Sequence, residues 1–259
     1  MSAQAPTFQT GVIRPVEALK AGYDAIRDQY WLMVGIAFVG VLIGGMVPLG
    51  ILLGPMMVGI HMCMLRKIHG QQVSFDMLFK GFDYFVPALL VALIHIIPAI
   101  ILIIPIYIGF VASIVGLAAA ADASGGNIPP DVGLVVPIIF GIVIFFAALI
   151  LIVINILFSF AYQLIFDRGL GAGDACKLSA KAAMANFGGL LGLALLSGLM
   201  SLGGLLLCYV GMVLVLPITL AATNVAYRAV FPAQVVPPQA PYGMPPQHPW
   251  QGPPPGQWS

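Results

Sequence analysis

The chain has 259 residues, of which 61% are hydrophobic and only 7% are charged, and its formal net charge is +1. Soluble domains carry about 25% charged residues, so this composition excludes an ordinary water-soluble protein. The small net charge also argues against nucleic acid as a partner. We therefore expect an all-α integral membrane protein whose partners include membrane lipids.

Residues 1–14 are predicted to form a flexible N-terminus, followed by a transmembrane domain over residues 15–231. No short apolar stretch with a small-residue cleavage site is found near the start, so no removable signal peptide is predicted. From Pro15 apolar residues recur at steps of three and four, which indicates an amphipathic helix. Similar helices are predicted from Ser74 and Asp174, and all three are expected at the cytoplasmic headgroups. The apolar stripe of the second contains Phe75, Leu78, Phe79 and Phe82.

Four stretches contain no charged residue, namely 29–65, 84–121, 132–166 and 182–227. A span needs about 20 residues, because the bilayer core is about 30 Å thick. Glycine-rich breaks near Gly44 and Gly203 interrupt the first and last stretches, so each is predicted to fold into a hairpin of two spans. The six predicted spans are 30–47, 49–66, 84–121, 132–166, 187–204 and 206–228.

The two middle stretches lack such glycine breaks. The first of them contains Pro87, Pro98 and Pro105, and proline bends a membrane helix without necessarily ending it. Each middle stretch is therefore predicted to be one long, tilted or kinked span. An alternative with eight spans, in which both stretches fold into hairpins, remains open. The two topologies differ in the side on which residues 122–131 lie.

All the basic residues fall on one side of the membrane in either topology. They are Arg14, Lys20, Arg27, Arg66, Lys67, Lys80, Arg168, Lys177, Lys181 and Arg228. Cytoplasmic loops of membrane proteins carry such an excess, so both termini are predicted to be cytoplasmic.

An internal repeat relates the first and last hairpins. The matching residues are Ala18, Lys20 and Tyr30 with Ala175, Lys177 and Phe187, and, at a slightly larger offset, Pro55 and Arg66 with Pro217 and Arg228. A middle unit over residues 74–168 shares the plan of amphipathic helix, span and span. An even number of crossings separates the units, so the three are predicted to have the same orientation, as parallel repeats do.

Four runs of sequence carry a family resemblance: GPMMVGIHM, SFDMLFKGF, YQLIFDRGLGAGDACKLSAKAAMANF and PITLAATNVAYRAVF. They resemble a group of uncharacterised bacterial inner-membrane proteins, which is similar to the membrane domain of some glycerophosphoryl diester phosphodiesterases. The resemblance covers residues 15–231 and implies a six-helix module of the bacterial cytoplasmic membrane. It implies no catalytic residues. This sequence does not include the hydrolase domain of those enzymes, so phosphodiesterase activity is not expected.

Polar residues within the spans are the candidate site residues. His95 and Asn155 each lie about a dozen residues from the nearest span end, and at about 1.5 Å per residue both reach the midplane. They are predicted to form a polar pair between the third and fourth spans, either as packing groups or as a substrate site. Thr219, Thr223 and Asn224 recur at helical steps on the last span, where they either line a path or pack against a neighbour.

No residue set indicates catalysis, a cofactor or a metal. His61 and Cys63 are two positions apart, so their side chains point to different faces of a helix and do not form a metal pair. The cysteines lack metal-ligand spacing. No cluster of acids and histidines, nucleophile motif or phosphate loop is recognised, so the protein is not expected to be an enzyme.

Residues 232–259 differ in composition from the rest of the chain. Pro, Gln and Gly dominate, with Tyr242, Trp250 and Trp258 interspersed. Such a segment has no core-forming residues and favours extended conformations. We predict a disordered cytoplasmic tail, which is either a simple tether or a ligand for a cytoplasmic protein partner.

Two functions fit these patterns. The favoured one is a non-enzymatic membrane scaffold or assembly factor, which holds partners or lipids through the interfacial helices and the tail. It explains why no charged residue lies in the middle of a span. The alternative is a carrier or channel for a lipid-like or neutral small molecule, which explains the repeats and the polar pair at the midplane.

Overall fold

The computed structural model describes residues 8–47, 50–126, 130–207 and 210–232. Every regular element in these ranges is a helix, which confirms the all-α prediction for the described part of the chain. The α-helices are α1 (Pro15–Ile26), α2 (Tyr30–Met46), α3 (Leu53–Ile68), α4 (Phe85–Ala123), α5 (Pro130–Leu157), α6 (Ala161–Arg168), α7 (Ala172–Ala185), α8 (Phe187–Leu206) and α9 (Val210–Val230). A 3₁₀ helix, Arg27–Gln29, joins α1 to α2, and a longer one, Phe75–Tyr84, precedes α4. The predicted tail lies outside the described residues beyond position 232.

Five helical segments in the described ranges are long and apolar enough to cross a membrane, as a multi-pass membrane protein requires. They are Pro15–Met46, Phe75–Ala123, Val135–Arg168, Phe187–Leu206 and Val210–Val230. The helix α3 is also apolar but has only 16 residues, fewer than the about 20 that a span needs. The prediction of six spans, like its alternative of eight, therefore stays a prediction.

The helices close into a ring of three units. The first unit is α1 to α3, the second runs from the longer 3₁₀ helix to α6, and the third is α7 to α9. Each unit opens with a helix that packs on the end of the preceding unit in cyclic order: α1 on α9, the 3₁₀ helix on α3, and α7 on α6. The next helices repeat this order, because α2 packs on α9, α4 on α3, and α8 on α5. The last helices of the three units, α3, α6 and α9, therefore meet at the centre.

The second predicted amphipathic helix differs from its expected form. It is a 3₁₀ helix, and of the predicted stripe only Leu78 is buried, whereas the three phenylalanines are exposed. It packs closely on α3 through glycine: Gly81 lies so near Gly59 of α3 that a Cβ on Gly81 would overlap the α3 backbone. Small residues permit such close approach between membrane helices. The location of this helix at the headgroups stays a prediction.

Burial is concentrated towards the end of the ring at which α3, α6 and α9 terminate, called here the inner end. Large side chains of α3 such as Met56, Ile60 and Met64 are 0% exposed. By contrast, α4 buries residues only near its start, namely Ala88, Val91 and Ala92. The outer parts of α4 and α5 leave large apolar side chains exposed, so these surfaces are suited to contact with lipid.

Residues 8–14, which the sequence assigns to a flexible N-terminus, are held against the third unit. Buried Asn186, between α7 and α8, accepts hydrogen bonds from the backbone amides of Gly11 and Val12, at 2.7 and 3.4 Å. Its own amide nitrogen donates to the Gln9 carbonyl at 2.9 Å. The Gln9 backbone amide in turn donates to the Val230 carbonyl at 2.9 Å. Flexibility of the N-terminus stays a prediction, and residues 1–7 lie outside the described ranges.

Candidate functional site

A half-open chamber of about 360 Å³ lies between α3, α4, the junction of α5 and α6, α8 and α9, and Asn155 and Ala194 in its lining are exposed. Its polar lining consists of His61, His95, Asn155, Ser159, Tyr162 and Thr223. Its apolar lining consists of Leu53, Met57, Phe158, Ala194 and Leu220. Three of these residues recur one turn apart on α3, so a single face of that helix runs along the chamber. Apolar walls with a few converging polar groups are typical of small-molecule sites.

A break between α5 and α6 forms part of the polar wall. Residues 158–160 separate the two helices, and Ser159 in this break lines the chamber. Fully buried Ser179 of α7 bridges the break. Its hydroxyl donates to the Leu157 carbonyl oxygen at 2.8 Å and accepts from the Phe160 amide at 3.2 Å. Non-helical backbone at membrane depth is tolerated where it is buried in protein or lines a cavity, and both conditions hold here.

Aromatic rings from three helices pack together along the chamber. The Tyr162 ring of α6 stacks on His95 of α4 and on His61 of α3, with centroid separations of 5.6 and 6.1 Å. Phe158 meets the His95 ring edge-on at 5.7 Å. These contacts fix the orientation of both histidine rings in the chamber wall.

His61 also belongs to a buried polar cluster with Gln163 of α6 and Asn224 of α9. The Asn224 amide nitrogen donates to His61 Nδ1 at 2.8 Å, and Gln163 Nε2 approaches the same nitrogen at 3.3 Å. With an amide donor on Nδ1, the neutral ring carries its proton on Nε2. The three side chains come from the last helix of each unit. The cluster therefore joins all three units at the centre of the ring.

An ionic cluster lies one helical turn further along α6 and α9, at the inner end. The Asp167 carboxylate accepts two hydrogen bonds from the Arg228 guanidinium, at 2.7 and 3.1 Å, and one from the Tyr227 hydroxyl. The Arg168 guanidinium lies 3.5 Å from the same carboxylate. Bidentate pairs of this kind are among the stronger charged hydrogen bonds. Partial burial, and then the charge of Arg228, lower the pKa of His69, just beyond α3, below its usual range.

The predicted polar pair of His95 and Asn155 comes to one chamber, but each side chain bonds to its own helix. His95 Nδ1 lies 2.9 Å from the Val91 carbonyl oxygen. The Asn155 amide nitrogen donates to the Leu151 carbonyl at 3.0 Å. Both residues line the chamber from adjacent helices. A functional role for the pair stays a prediction.

The three predicted path-lining residues separate into different environments. Thr223 lines the chamber, whereas Asn224 lies in the buried cluster with His61. The Thr219 and Thr223 hydroxyls each donate to a carbonyl of their own helix at 2.9 Å, those of Leu216 and Thr219. A continuous path across the membrane stays a prediction.

Sequence reasoning missed three of the six polar residues that line the chamber, namely His61, Ser159 and Tyr162. It treats His61 only as a rejected metal partner of Cys63, and it leaves Ser159, Tyr162 and Gln163 inside one apolar span. The sequence does contain a signal for these residues, namely a polar side chain within an apolar span. Exposing a polar group to hydrocarbon is costly, so polar residues in spans tend to face the protein interior. Gln163 and Tyr162 are adjacent polar residues in such a stretch, and both reach the site.

Comparison of the chain with protein-family models, curated proteins and solved structures found no match. In the described ranges, no group of three or more His, Cys, Asp or Glu residues could hold a metal ion. The chamber lining contains no Asp, Glu, Lys or Arg. The arrangement is therefore suited to a neutral molecule held by hydrogen bonds and apolar contacts.

Proposed function

We propose that the protein is a membrane carrier that binds a small neutral or lipid-like molecule in its central chamber. The observation that carries this proposal is the convergence of polar groups from α3, α4, the break between α5 and α6, and α9 on one half-open space between apolar helices. Carrier sites are often formed within the membrane where helices are discontinuous. The break at residues 158–160 is such a feature.

The uncharged lining supports a neutral ligand. His61, Ser159 and Thr223 can form hydrogen bonds without a counter-ion, and Leu53 and Met57 supply contacts for hydrocarbon. Binding of this kind involves no cofactor and no chemical reaction.

The same proposal includes six spans, with α3 as the short one, and cytoplasmic termini in a bacterial inner membrane. Basic residues lie in the last turns of α3, α6 and α9, which end together at the inner end of the ring. An excess of positive residues marks the cytoplasmic side. The resemblance to uncharacterised bacterial inner-membrane proteins, and lipid contact with the exposed apolar surfaces, belong to this proposal as well.

Blocking the chamber tests the carrier proposal. Ala194 is an exposed residue of the chamber lining, so Ala194→Trp is expected to obstruct the chamber from its open side, whereas the neighbouring Leu195 does not line it and is 59% exposed. Native mass spectrometry would compare the wild type, Ala194→Trp and Leu195→Trp, each extracted with its own lipids. We expect one small molecule on the wild type and on Leu195→Trp that is lost from Ala194→Trp. The same bound species on all three proteins would contradict a ligand in the chamber.

A second candidate, a membrane scaffold or assembly factor, is favoured by the hairpin of α4 and α5. The helix α4 has 39 residues and α5 has 28. At about 1.5 Å per residue, α4 extends about 58 Å, against about 30 Å for a bilayer core. Tyr107 and Ile108 in its outer half are 65% and 61% exposed. A scaffold would hold protein partners with this surface and with the Pro-rich tail.

Photo-crosslinking in cells tests the scaffold. A photoreactive amino acid would replace Ile108 on the hairpin or, as a control, Trp31, which is 74% exposed on α2. One discrete protein adduct at Ile108, absent at Trp31 and reduced by removal of residues 232–259, would favour a scaffold. Lipid adducts alone at both positions would contradict it.

A further inference from the structure

A second cavity, called here the hairpin groove, lies between α4 and α5. It is half-open, apolar and about 380 Å³ in volume. Leu151 in the groove lies one turn from Asn155 in the chamber, and Ile106 in the groove lies three turns from His95 in the chamber. The same faces of α4 and α5 therefore line both cavities, and the hairpin groove continues the chamber away from the inner end. Its lining includes Ile103, Ile106, Tyr107, Phe110, Ala148 and Leu151.

Asn155 lies where the chamber meets the hairpin groove. It is an exposed residue of the chamber lining, and its amide nitrogen donates to the carbonyl of Leu151, which lines the groove. This is its one hydrogen bond among the described residues, so one amide N–H and the amide oxygen have no partner there. A polar group exposed at membrane depth is costly. A polar partner from outside the chain would remove that cost.

His95 adds a second polar group to the same side of the chamber. This half-buried residue directs Nδ1 at the Val91 carbonyl oxygen, 2.9 Å away, so Nδ1 carries the proton of the neutral ring and Nε2 is an acceptor. Together, His95 and Asn155 supply acceptors and a donor. They suit a small group that both donates and accepts hydrogen bonds, such as a hydroxyl or a primary amide.

The length of the hairpin groove suits one hydrocarbon chain. Its outermost lining residue on α4 is Phe110, whose ring meets Phe140 of α5 edge-on at 5.7 Å. From His95 to Phe110 the helix rises about 22 Å, at about 1.5 Å per residue. A bilayer core about 30 Å thick contains two layers of lipid chains, so one chain extends about 15 Å. The distance therefore accommodates a chain of ordinary length and a small head group.

We propose that the chamber and the hairpin groove together bind a single-chain lipid with a small neutral head group, such as a long-chain alcohol or primary amide, taken from the bilayer. This inference rests on the carrier proposal and names the substrate class for the same chamber. The head group lies at His95 and Asn155, and the chain lies along the groove towards Phe110. The lining of the two cavities contains no Lys or Arg to pair with a phosphate, so a phospholipid fits less well.

Photolabelling with two matched probes tests the proposal. The full chain in phosphatidylcholine nanodiscs would be irradiated with hexadecanol that carries a diazirine either at carbon 3, near the hydroxyl, or at carbon 14, near the chain end. Mass spectrometry would locate the adducts. We expect the first probe to label residues 155–162 or 194 and the second to label residues 103–110 or 144–151. Unlabelled hexadecanol should displace both about tenfold better than hexadecane, which has no head group.

Substitutions in the two cavities separate the chain from the head group. Ala148→Trp should fill the hairpin groove and abolish the displaceable labelling by the carbon-14 probe. Ala112→Trp is its control, because Ala112 is exposed on α4 but does not line the groove. Asn155→Leu should remove the preference for hexadecanol over hexadecane, whereas Ser113→Ala, outside both cavities, should keep it. Both Ala148 and Asn155 are exposed, so their variants are expected to fold.

The outcomes separate this inference from the carrier proposal. Displaceable labelling of the chamber that Ala194→Trp abolishes but Ala148→Trp leaves unchanged would overturn the role of the hairpin groove and leave the carrier proposal standing. Equal displacement by hexadecane, or stronger displacement by hexadecyltrimethylammonium or hexadecyl sulfate, would overturn recognition of a neutral head group. No displaceable labelling by either probe would overturn the inference. It would count against the carrier proposal as well only if native mass spectrometry also found no ligand that Ala194→Trp removes.

Discussion

The centre of the ring and the outer part of the α4–α5 hairpin both contain large apolar side chains, but they pack in opposite ways. Ile60 in α3 is 0% exposed, whereas Ile108 in α4 is 61% exposed. Hydropathy does not explain this difference, because the hairpin helices are more hydrophobic than the central helices and yet are the more exposed ones. Lipid is as apolar as a protein interior, so hydropathy gives no force that draws one helix to another. Small residues and polar groups distinguish them. The centre contains Gly59 and the cluster around His61, and these contacts hold α3 in place.

The largest expected effect comes from breaking the ionic cluster at the inner end. Asp167→Ala leaves the guanidinium of Arg228 mostly buried without its carboxylate, which should cost about 3–5 kcal/mol of unfolding free energy. Asp122→Ala, at an exposed position near the end of α4, is the matched control and should cost less than about 0.5 kcal/mol. Unfolding in mixed micelles with increasing SDS measures both. Equal losses would show that the cluster does not anchor the ring.

Truncating an isoleucine in each region tests the packing difference directly. Ile60→Ala removes packed atoms from a filled core and should lower the unfolding free energy by about 2 kcal/mol or more. Ile108 is expected to contact lipid, and in Ile108→Ala the lost side-chain contacts are replaced by other lipid contacts. The unfolding free energy should therefore change by less than about 0.5 kcal/mol. The same micelle titration applies. A large loss of unfolding free energy in Ile108→Ala would show that this part of the hairpin contacts protein.

Glycine-to-alanine substitutions test whether another part of the protein lies against the glycine, and the two regions differ in this respect. A Cβ on Gly59 would overlap the Leu78 carbonyl, whereas a Cβ on Gly141 of α5 meets no atom within 4 Å. Gly59→Ala should therefore destabilise by about 1–3 kcal/mol. Gly141→Ala should be neutral, or stabilising by up to about 1 kcal/mol, because alanine favours the helix. Equal tolerance at both positions, measured by thermal unfolding, would mean that the 3₁₀ helix does not pack on α3 as described.

The smallest effect is expected at the helix break. Ser179→Ala removes the hydroxyl that bonds to Leu157 and Phe160, and the loss should be about 1 kcal/mol. Ser113→Ala in α4 should lower the unfolding free energy less. The Ser113 hydroxyl donates to the Gly109 carbonyl, which also accepts a backbone hydrogen bond within α4 and so keeps a partner in the variant. Hydrogen exchange at Phe160 reports the break locally. Unchanged protection of this amide in Ser179→Ala would show that Ser179 does not hold it.

Helix positions in the described residues could largely be predicted from the sequence. The predicted spans 30–47 and 187–204 correspond to Tyr30–Met46 and Phe187–Leu206. Aromatic or charged residues mark one end of each apolar stretch and glycines the other, and these local signals do not depend on distant contacts. The break at 158–160 had no such signal, because no glycine or proline lies in it. A serine from α7 completes its backbone hydrogen bonds.

The sequence by itself therefore determined the class of protein, the helical segments and the collection of basic residues at one end, because charge and hydropathy act on each segment independently. Only the tertiary structure decided which polar residues share a site. His95 and Asn155 were predicted as a pair from their similar depth in the spans, but His61, Gln163 and Asn224 lie on three helices far apart in the chain. Their meeting depends on the cyclic packing of three units, and in lipid that packing is determined by close contacts and polar pairs between segments.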